Sequence, residues 1–139
     1  SLKESIFNTI QEDTNQEKII DIKEARISKI EFRKSQLLID FFLKNPYDIN
    51  FTLSDYPSKV FINNNYSGEG RLQYTINVDS TNKVNEGTFV FDLNNFDTIT
   101  SLFSSLLNRK INYTVKGTLL LEILNYKVKL PYSFSGEIQ

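Results

Sequence analysis

The last third of the chain decides the fold class. Residues 111–117 read Ile-Asn-Tyr-Thr-Val-Lys-Gly, an apolar run follows at 119–124, and residues 130–136 read Leu-Pro-Tyr-Ser-Phe-Ser-Gly. Apolar side chains alternate with other residues through much of these stretches, which is the two-residue period of a β-strand. Asn125 and Tyr126 lie between the two long segments, where antiparallel strands need a tight turn. The region predicts a β-hairpin that closes the domain.

The same period occurs upstream in a strand that ends at a proline. Residues 37–44 alternate, and Asn45-Pro46-Tyr47 follows. Proline has no backbone N–H and restricts the residue before it to extended geometry, so the strand is expected to turn there. We predict that Asn45 and Pro46 form a structural turn, in which the Asn45 side chain hydrogen-bonds to nearby backbone.

Further strands are predicted on both sides of that turn. Alternating apolar residues mark the segments 18–32, 49–53, 60–62, 72–78 and 89–93. We therefore expect six to eight strands joined by short turns. The predicted core consists of inward positions on these strands and on the closing hairpin: Ile39, Phe41, Leu43, Ile76, Val78, Tyr113, Val115, Leu119 and Leu121.

Two polar stretches carry turn chemistry. Asn63-Asn64-Asn65 predicts a turn, because asparagine tolerates left-handed backbone geometry. Gly68 and Gly70 flank Glu69, but no third glycine in register and no helix follows them, as a dinucleotide-binding loop would require. We interpret the two glycines as part of a turn or bulge.

One segment has the period of a helix. Between residues 95 and 108, apolar side chains recur at intervals of three and four, which places them on one helical face. Leu102, Phe103 and Leu106 are expected to face the sheets. Many short strands with one helix predict an all-β fold, an antiparallel β-sandwich with a short helix between late strands.

Chain length and composition indicate one domain. The chain has 139 residues, which fits a single domain at 18–139. Residues 1–17 are mostly polar, with Ile6, Phe7 and Ile10 at helical spacing, and they predict a short helix or a linker.

The charge and the missing residue types exclude several functions. Lysine and arginine number 16 against 17 aspartate and glutamate, so no basic excess exists to neutralise nucleic-acid phosphates. Cysteine and histidine are both absent, which removes thiol nucleophiles, zinc thiolate sites and the commonest general base. We expect a protein that is not an enzyme, with no catalytic residues, no metal and no cofactor.

Two surfaces are candidates for binding. Four apolar residues outside the predicted core positions could line an apolar groove under the helix, which would suit a lipid tail or an unfolding protein. They are Leu38, Phe42, Leu120 and Leu124. Four lysines near the closing hairpin either protect an edge strand from aggregation or bind an anionic partner such as a lipid headgroup. They are Lys110, Lys116, Lys127 and Lys129.

Taken in order, these elements resemble the late-embryogenesis-abundant (LEA) type 2 family, also called the water-stress and hypersensitive-response domain. The resemblance covers about residues 19–139. Its parts are the strand ending at Asn45-Pro46, the segment from Phe61 to Gly68, the predicted helix, Tyr113-Thr114-Val115-Lys116-Gly117, and the closing Leu130-Pro131 with Gly136-Glu137-Ile138. Tyr47 stands where the family pattern usually has a second asparagine.

The resemblance implies a sandwich of fibronectin type III-like or immunoglobulin-like topology. It also implies non-enzymatic protection during desiccation or related stress, through contact with proteins or membrane surfaces. The alternative that it leaves open is a lipid or apolar-ligand binding module of a cell-envelope lipoprotein, whose anchor preceded Ser1 and has been removed. The remaining alternative is a cytoplasmic location, since a chain without cysteine is compatible with either compartment.

Overall fold

The structure is a computed structural model that describes residues 20–31, 34–45, 48–55, 57–93 and 111–138. These residues form nine strands. In chain order they are β1 (Ile20–Glu31), β2 (Lys34–Lys44), β3 (Phe51–Ser54), β4 (Ser58–Ile62), β5 (Asn65–Leu72), β6 (Ile76–Val78), β7 (Val84–Leu93), β8 (Ile111–Ile123) and β9 (Tyr126–Ile138). The predicted all-β class is confirmed.

All strand pairs are antiparallel and belong to one continuous sheet. Its order is β1-β2-β7-β5-β4-β8-β3-β6, and β9 pairs with β8. Along one edge of β8, β4 pairs with residues 113–116 and β3 with residues 120–122, while β9 follows the whole length of the other edge. The central position of β8 explains why the late hairpin carries so much of the fold.

The sheet folds over, so that β7 and β9 face each other across a single core. Phe89 on β7 lies 5.9 Å from Tyr132 and 5.8 Å from Phe134, measured between ring centroids, although β7 and β9 share no ladder. The buried apolar side chains form one cluster that draws on all nine strands. This packing gives each long strand one inner and one outer face.

The predicted core is largely confirmed. Eight of the nine residues are at most 3% exposed, and Ile76 is only half-buried. The alternation at 72–78 predicts one strand, and this prediction is wrong. β5 ends at Leu72, the chain bends, and β6 begins at Ile76. Leu72 pairs with Phe89 on β7, whereas Ile76 pairs with Leu53 on β3, so the two strands serve different neighbours.

Gly68 and Gly70 lie within β5, so of the two alternatives predicted for this stretch, a turn or a bulge, the turn is wrong and the bulge is found. A register shift falls between Val60 and Phe61 of β4, where Gly68 and Tyr66 are their partners, so Ser67 is the extra residue of a bulge. A Cβ atom on Gly68 would lie 3.0 Å from the backbone carbon of Asp92. No side chain would fit at position 68, because the backbone of β7 passes too close to it.

The two tight hairpins use left-handed residues. Asn63 and Asn64 have φ values of 49° and 69° in the β4–β5 turn, which confirms the turn predicted there. Leu124 and Asn125 have φ values of 50° and 67° in the β8–β9 turn. Positive φ at both central residues matches the twist of the flanking strands.

Two of the predicted elements lie outside the described residues. They are the helix at 95–108, with Leu102, Phe103 and Leu106, and the N-terminal segment 1–17. Pro46 of the predicted turn also lies outside them.

Candidate functional site

The candidate site is an opening between the two outermost long strands. Among the described strands, β1 pairs only with β2 and β9 only with β8, so each has one edge without a strand partner. The two edges come close where the first residues of β1 pass residues 132–135 of β9. A cleft of about 210 Å³ lies between them.

The cleft is apolar on its inner side and polar on its rim. Ile20 and Ile22 point inward, because their partners on β2 are Leu43 and Phe41, both 0% exposed. The two isoleucines are nevertheless only half-buried. The rim consists of Asp21, Ser133 and Ser135. The opening therefore exposes inward-facing apolar surface beside the backbone of a strand edge.

An aromatic stack forms the wall behind the opening. The ring of Tyr132 lies 5.6 Å from that of Phe134 and 5.9 Å from that of Phe89, and Phe89 in turn stacks on Phe41 at 4.7 Å. Offset and tilted contacts at these centroid distances are favourable for aromatic rings. The lining is thus held by rigid side chains that continue into the core.

One polar pair is buried within this wall. The hydroxyl groups of Tyr132 and Ser58 share a hydrogen bond of 2.7 Å. Gly117 on β8 faces the same pair, and a Cβ atom there would lie 2.9 Å from Tyr132 Cε1. The glycine of the Tyr-x-Val-x-Gly stretch is therefore needed to leave room for the tyrosine ring.

The buried position changes the acidity of Tyr132. Burial is the main cause that raises the pKa of its hydroxyl to about 12. The hydrogen bond with Ser58 lowers this pKa by a smaller amount, and the charge of Asp55 raises it slightly. Burial also raises the pKa of Tyr113 above its ordinary value. Both hydroxyls therefore remain protonated at neutral pH, so neither can act as a base there.

The raised pKa of Tyr132 predicts an alkaline loss of stability. An unfolded tyrosine ionises near pH 10, whereas the folded group holds its proton to about pH 12. The protonated Tyr132 therefore makes its full contribution to the free energy of unfolding below about pH 10. That contribution is lost as the pH rises from about 10 toward 12. The loss should approach about 2–3 kcal/mol.

Urea unfolding of the protein and of Tyr132→Phe, at several pH values above about 9, checks this expectation. The variant has nothing to ionise at position 132, so its free energy of unfolding should fall less steeply with pH. Tyr113, whose pKa burial also raises, is present in both proteins, so its contribution cancels in the comparison. Equal slopes for the two proteins would contradict the assignment.

The structure does not bring the four predicted groove residues together. Leu38 and Phe42 are half-buried on the outer face of β2, whereas Leu120 is half-buried on the outer face of β8, and no ladder joins these two strands. Leu124 is 58% exposed and occupies the β8–β9 turn. Because the inner faces of β2 and β8 both supply the core, their outer faces point away from each other.

The predicted turn residue Asn45 lies at a crossing of three segments. It is 1% exposed, and its Nδ2 donates hydrogen bonds to the carbonyl oxygens of Ile49, at 2.9 Å, and Asp79, at 3.1 Å. Its backbone N–H donates to the carbonyl oxygen of Lys83 at 2.8 Å. These contacts join the exit of β2 to the segments before β3 and between β6 and β7.

The lysines of the closing hairpin are spread over an outer face. Lys116 is the register partner of Lys59, and its Nζ lies 5.4 Å from the ring centroid of Phe61. Lys127 and Lys129 stand on β9, opposite Glu122 and Leu120. Lys110 lies outside the described residues. Edge protection and anion binding both stay predictions for this group.

The opening itself was not predicted. Its residues alternate like those of any strand, and only the approach of β1 to β9 makes Ile20, Ile22 and Phe134 neighbours. One feature of the sequence could have indicated the opening. The small residues Ser133 and Ser135 flank Phe134 on a strand that is otherwise rich in large residues.

Two further features are absent from the described part of the chain. It contains no group of three or more Asp and Glu side chains placed to hold a metal ion. Within the same residues, no helix is long and apolar enough to cross a membrane.

No family model matches the chain, and a search of curated proteins gives no match. Solved structures do match. The crystal structure of a protein from Archaeoglobus fulgidus is 14% identical over 86% of this chain and 97% of that chain, with a TM-score of 0.59. The solution structure of an Arabidopsis thaliana protein is 12% identical over 86% and 80% of the two chains, also at 0.59. This chain therefore has the fold of those two proteins.

A third solution structure is that of a candidate LEA protein. It is 15% identical and covers 98% of this chain and 84% of its own, with a TM-score of 0.47. A superposition at that level is too loose to carry an argument about function.

Proposed function

We propose that this chain is a non-enzymatic protective domain of the LEA type 2 kind, a fibronectin type III-like sandwich that shields other proteins during water stress. The observation that carries the proposal is the opening between β1 and β9, where the inward-facing Ile20 and Ile22 are only half-buried. The resemblance of the late strands to the family supports it independently.

The opening offers the two things that an unfolding protein needs. Apolar segments that leave a core need apolar surface, which Ile20, Ile22 and Phe134 provide. Extended segments also carry unpaired backbone groups, and the edge of β9 at residues 132–135 can pair with them as a neighbouring strand would. Contact of this kind is weak and reversible, and it requires no nucleotide.

The proposal predicts that the purified protein preserves an unrelated enzyme through drying or freezing. Ile22→Ser should reduce this protection, since it places a hydroxyl in the apolar lining. Ile27→Ser is the matched control, because Ile27 is also a half-buried isoleucine of β1 but does not line the opening. The measurement is the fraction of enzyme activity recovered, with the melting temperature of each variant recorded alongside.

Two outcomes would count against the proposal. One is no protection beyond that given by an equal mass of an inert protein. The other is equal loss of protection in both variants, which would mean that stability and not the opening is responsible.

The same opening supports a second candidate function, the carriage of an apolar ligand. A cleft of about 210 Å³ that leads to an aromatic wall can take the end of an acyl chain. Mass spectrometry of the organic extract from purified protein checks this function. Acyl lipid in one-to-one amounts, lost in Ile22→Ser and accompanied by no enzyme protection, would favour carriage over protection.

A further inference from the structure

A second cleft, of about 330 Å³, lies on the outer side of β1, β2 and β7. It forms because β5 ends at Leu72, and the chain then bends and leaves the first half of β7 beyond its reach. The backbone N–H of Gln73 donates to the carbonyl oxygen of Thr88 at 2.8 Å, which fixes the bend against β7. The polar residues and the ring that line it are Lys23, Asp40, Gln73, Tyr74, Glu86 and Thr88.

The charged groups of this cleft are held in ion pairs. Lys23 Nζ lies 3.1 Å from Glu86 Oε1, and Arg26 forms an ion pair with Asp40. Thr88 Oγ1 donates a hydrogen bond of 2.7 Å to Asp40 Oδ1. Arg26 Nη1 also lies 3.4 Å from Glu24 Oε1, so two cations serve three carboxylates. The cleft therefore has a small net negative charge, which disfavours an anion, and its carboxylates offer hydrogen-bond acceptors.

The remaining wall consists of an exposed aromatic ring, Tyr74, together with Ile76 and Gly87. Tyr74 is 73% exposed, the highest value among the large apolar and aromatic side chains of the described residues that lie at the surface. Within that part of the chain, the side chains of Tyr74 and Gln73 make no hydrogen bond, so both can bind a ligand. The π-face of a tyrosine is electron-rich and attracts the polarised C–H groups on the flat side of a pyranose ring.

We propose that this cleft binds a neutral saccharide, with Tyr74 stacked on the sugar ring and Asp40, Gln73 and Glu86 bonded to its hydroxyl groups. Each sugar hydroxyl both donates and accepts, so it suits a site where carboxylates accept and an ammonium or amide donates. The volume is at the lower end for small-molecule pockets and suits one or two sugar units. The assignment is independent of the protective function and does not involve the β1–β9 opening.

The test is an NMR titration of the ¹⁵N-labelled protein with glucose, sucrose, trehalose and cellobiose. At least one sugar should give saturable shifts that cluster on the amides of Gln73, Tyr74 and Thr88. Tyr74→Ala should weaken that binding about tenfold. Tyr66→Ala is the matched control, because Tyr66 is also exposed but packs against Phe61, away from this cleft, and it should leave the affinity unchanged.

Several results would overturn the assignment. They are the absence of saturable shifts with every sugar, shifts that cluster elsewhere on the surface, and equal weakening in the two tyrosine variants. Binding of glucuronate or inorganic phosphate with no binding of a neutral sugar would show that charge, and not the ring with its hydrogen-bonding groups, decides recognition. Because both tyrosines are exposed, unfolding of the variants is not expected to obscure the comparison.

Discussion

Phe41→Ala is expected to lower the free energy of unfolding by about 3–5 kcal/mol. Phe41 is 0% exposed, and its ring stacks on that of Phe89 with centroids 4.7 Å apart. Gly87 lies beside the ring, since a Cβ atom there would come within 2.9 Å of Phe41 Cε1 in the intact protein. Because glycine has no side chain, it cannot fill the space that the ring leaves. The cavity would therefore stay open between β2 and β7.

Urea unfolding measures this loss, with Phe61→Ala as the control. Phe61 is also a strand phenylalanine, but it is half-buried on an outer face beside Tyr66. Removing it should cost far less, about 1 kcal/mol. A domain of this size is stable by only about 5–15 kcal/mol, so Phe41→Ala can approach complete unfolding at physiological temperature. Similar losses for the two variants would contradict the division into inner and outer faces.

Asn45→Ala is expected to cost about 1–3 kcal/mol. The side-chain amide donates to the carbonyl oxygens of Ile49 and Asp79, and alanine would leave both without this donor at a position that is 1% exposed. The exit of β2 would loosen from the segments before β3 and after β6. Thermal unfolding and amide hydrogen exchange around Ile49 and Asp79 measure the effect.

Asn82→Ala is the control for this change. Asn82 is exposed, and its backbone N–H, which alanine retains, donates to Asp79 Oδ1. Its replacement should change the melting temperature little. If Asn45→Ala kept the parent stability but abolished enzyme protection or sugar binding, Asn45 would be a ligand-binding residue and the structural assignment would be wrong.

Local patterns predicted much of this fold because they act within one strand or turn. The alternation at Leu37, Ile39, Phe41 and Leu43 assigns a buried face wherever the strand pairs, since a strand has only two faces. The asparagines at 63 and 64 specify a hairpin, because few other residues adopt left-handed geometry at low cost. Composition is also known from the sequence alone. Without histidine and cysteine, the chain has no thiol nucleophile, no zinc thiolate site and no imidazole base.

Local patterns were misleading where two structures satisfy them equally. Leu72, Tyr74, Ile76 and Val78 alternate as one strand would, yet the chain bends after Leu72. The bend arises because β5 pairs with β7, whereas β6 pairs with β3. These two partner strands are distant from each other in the sequence. Leu124 was assigned to a groove on its apolarity, but the two-residue hairpin turn holds it in left-handed geometry with a φ of 50°.

The amino-acid sequence by itself determined the β-class, the inner faces of the long strands, the turn at Asn63 and Asn64, and the absence of histidine and cysteine chemistry. Only the tertiary structure decided where β1 meets β9, and hence that Ile22 and Phe134 line one opening, and that Tyr74 stands beside Glu86. Side-chain period and turn propensity depend on near neighbours along the chain. A cleft between strands depends on pairings that span the whole domain, and no local pattern encodes them.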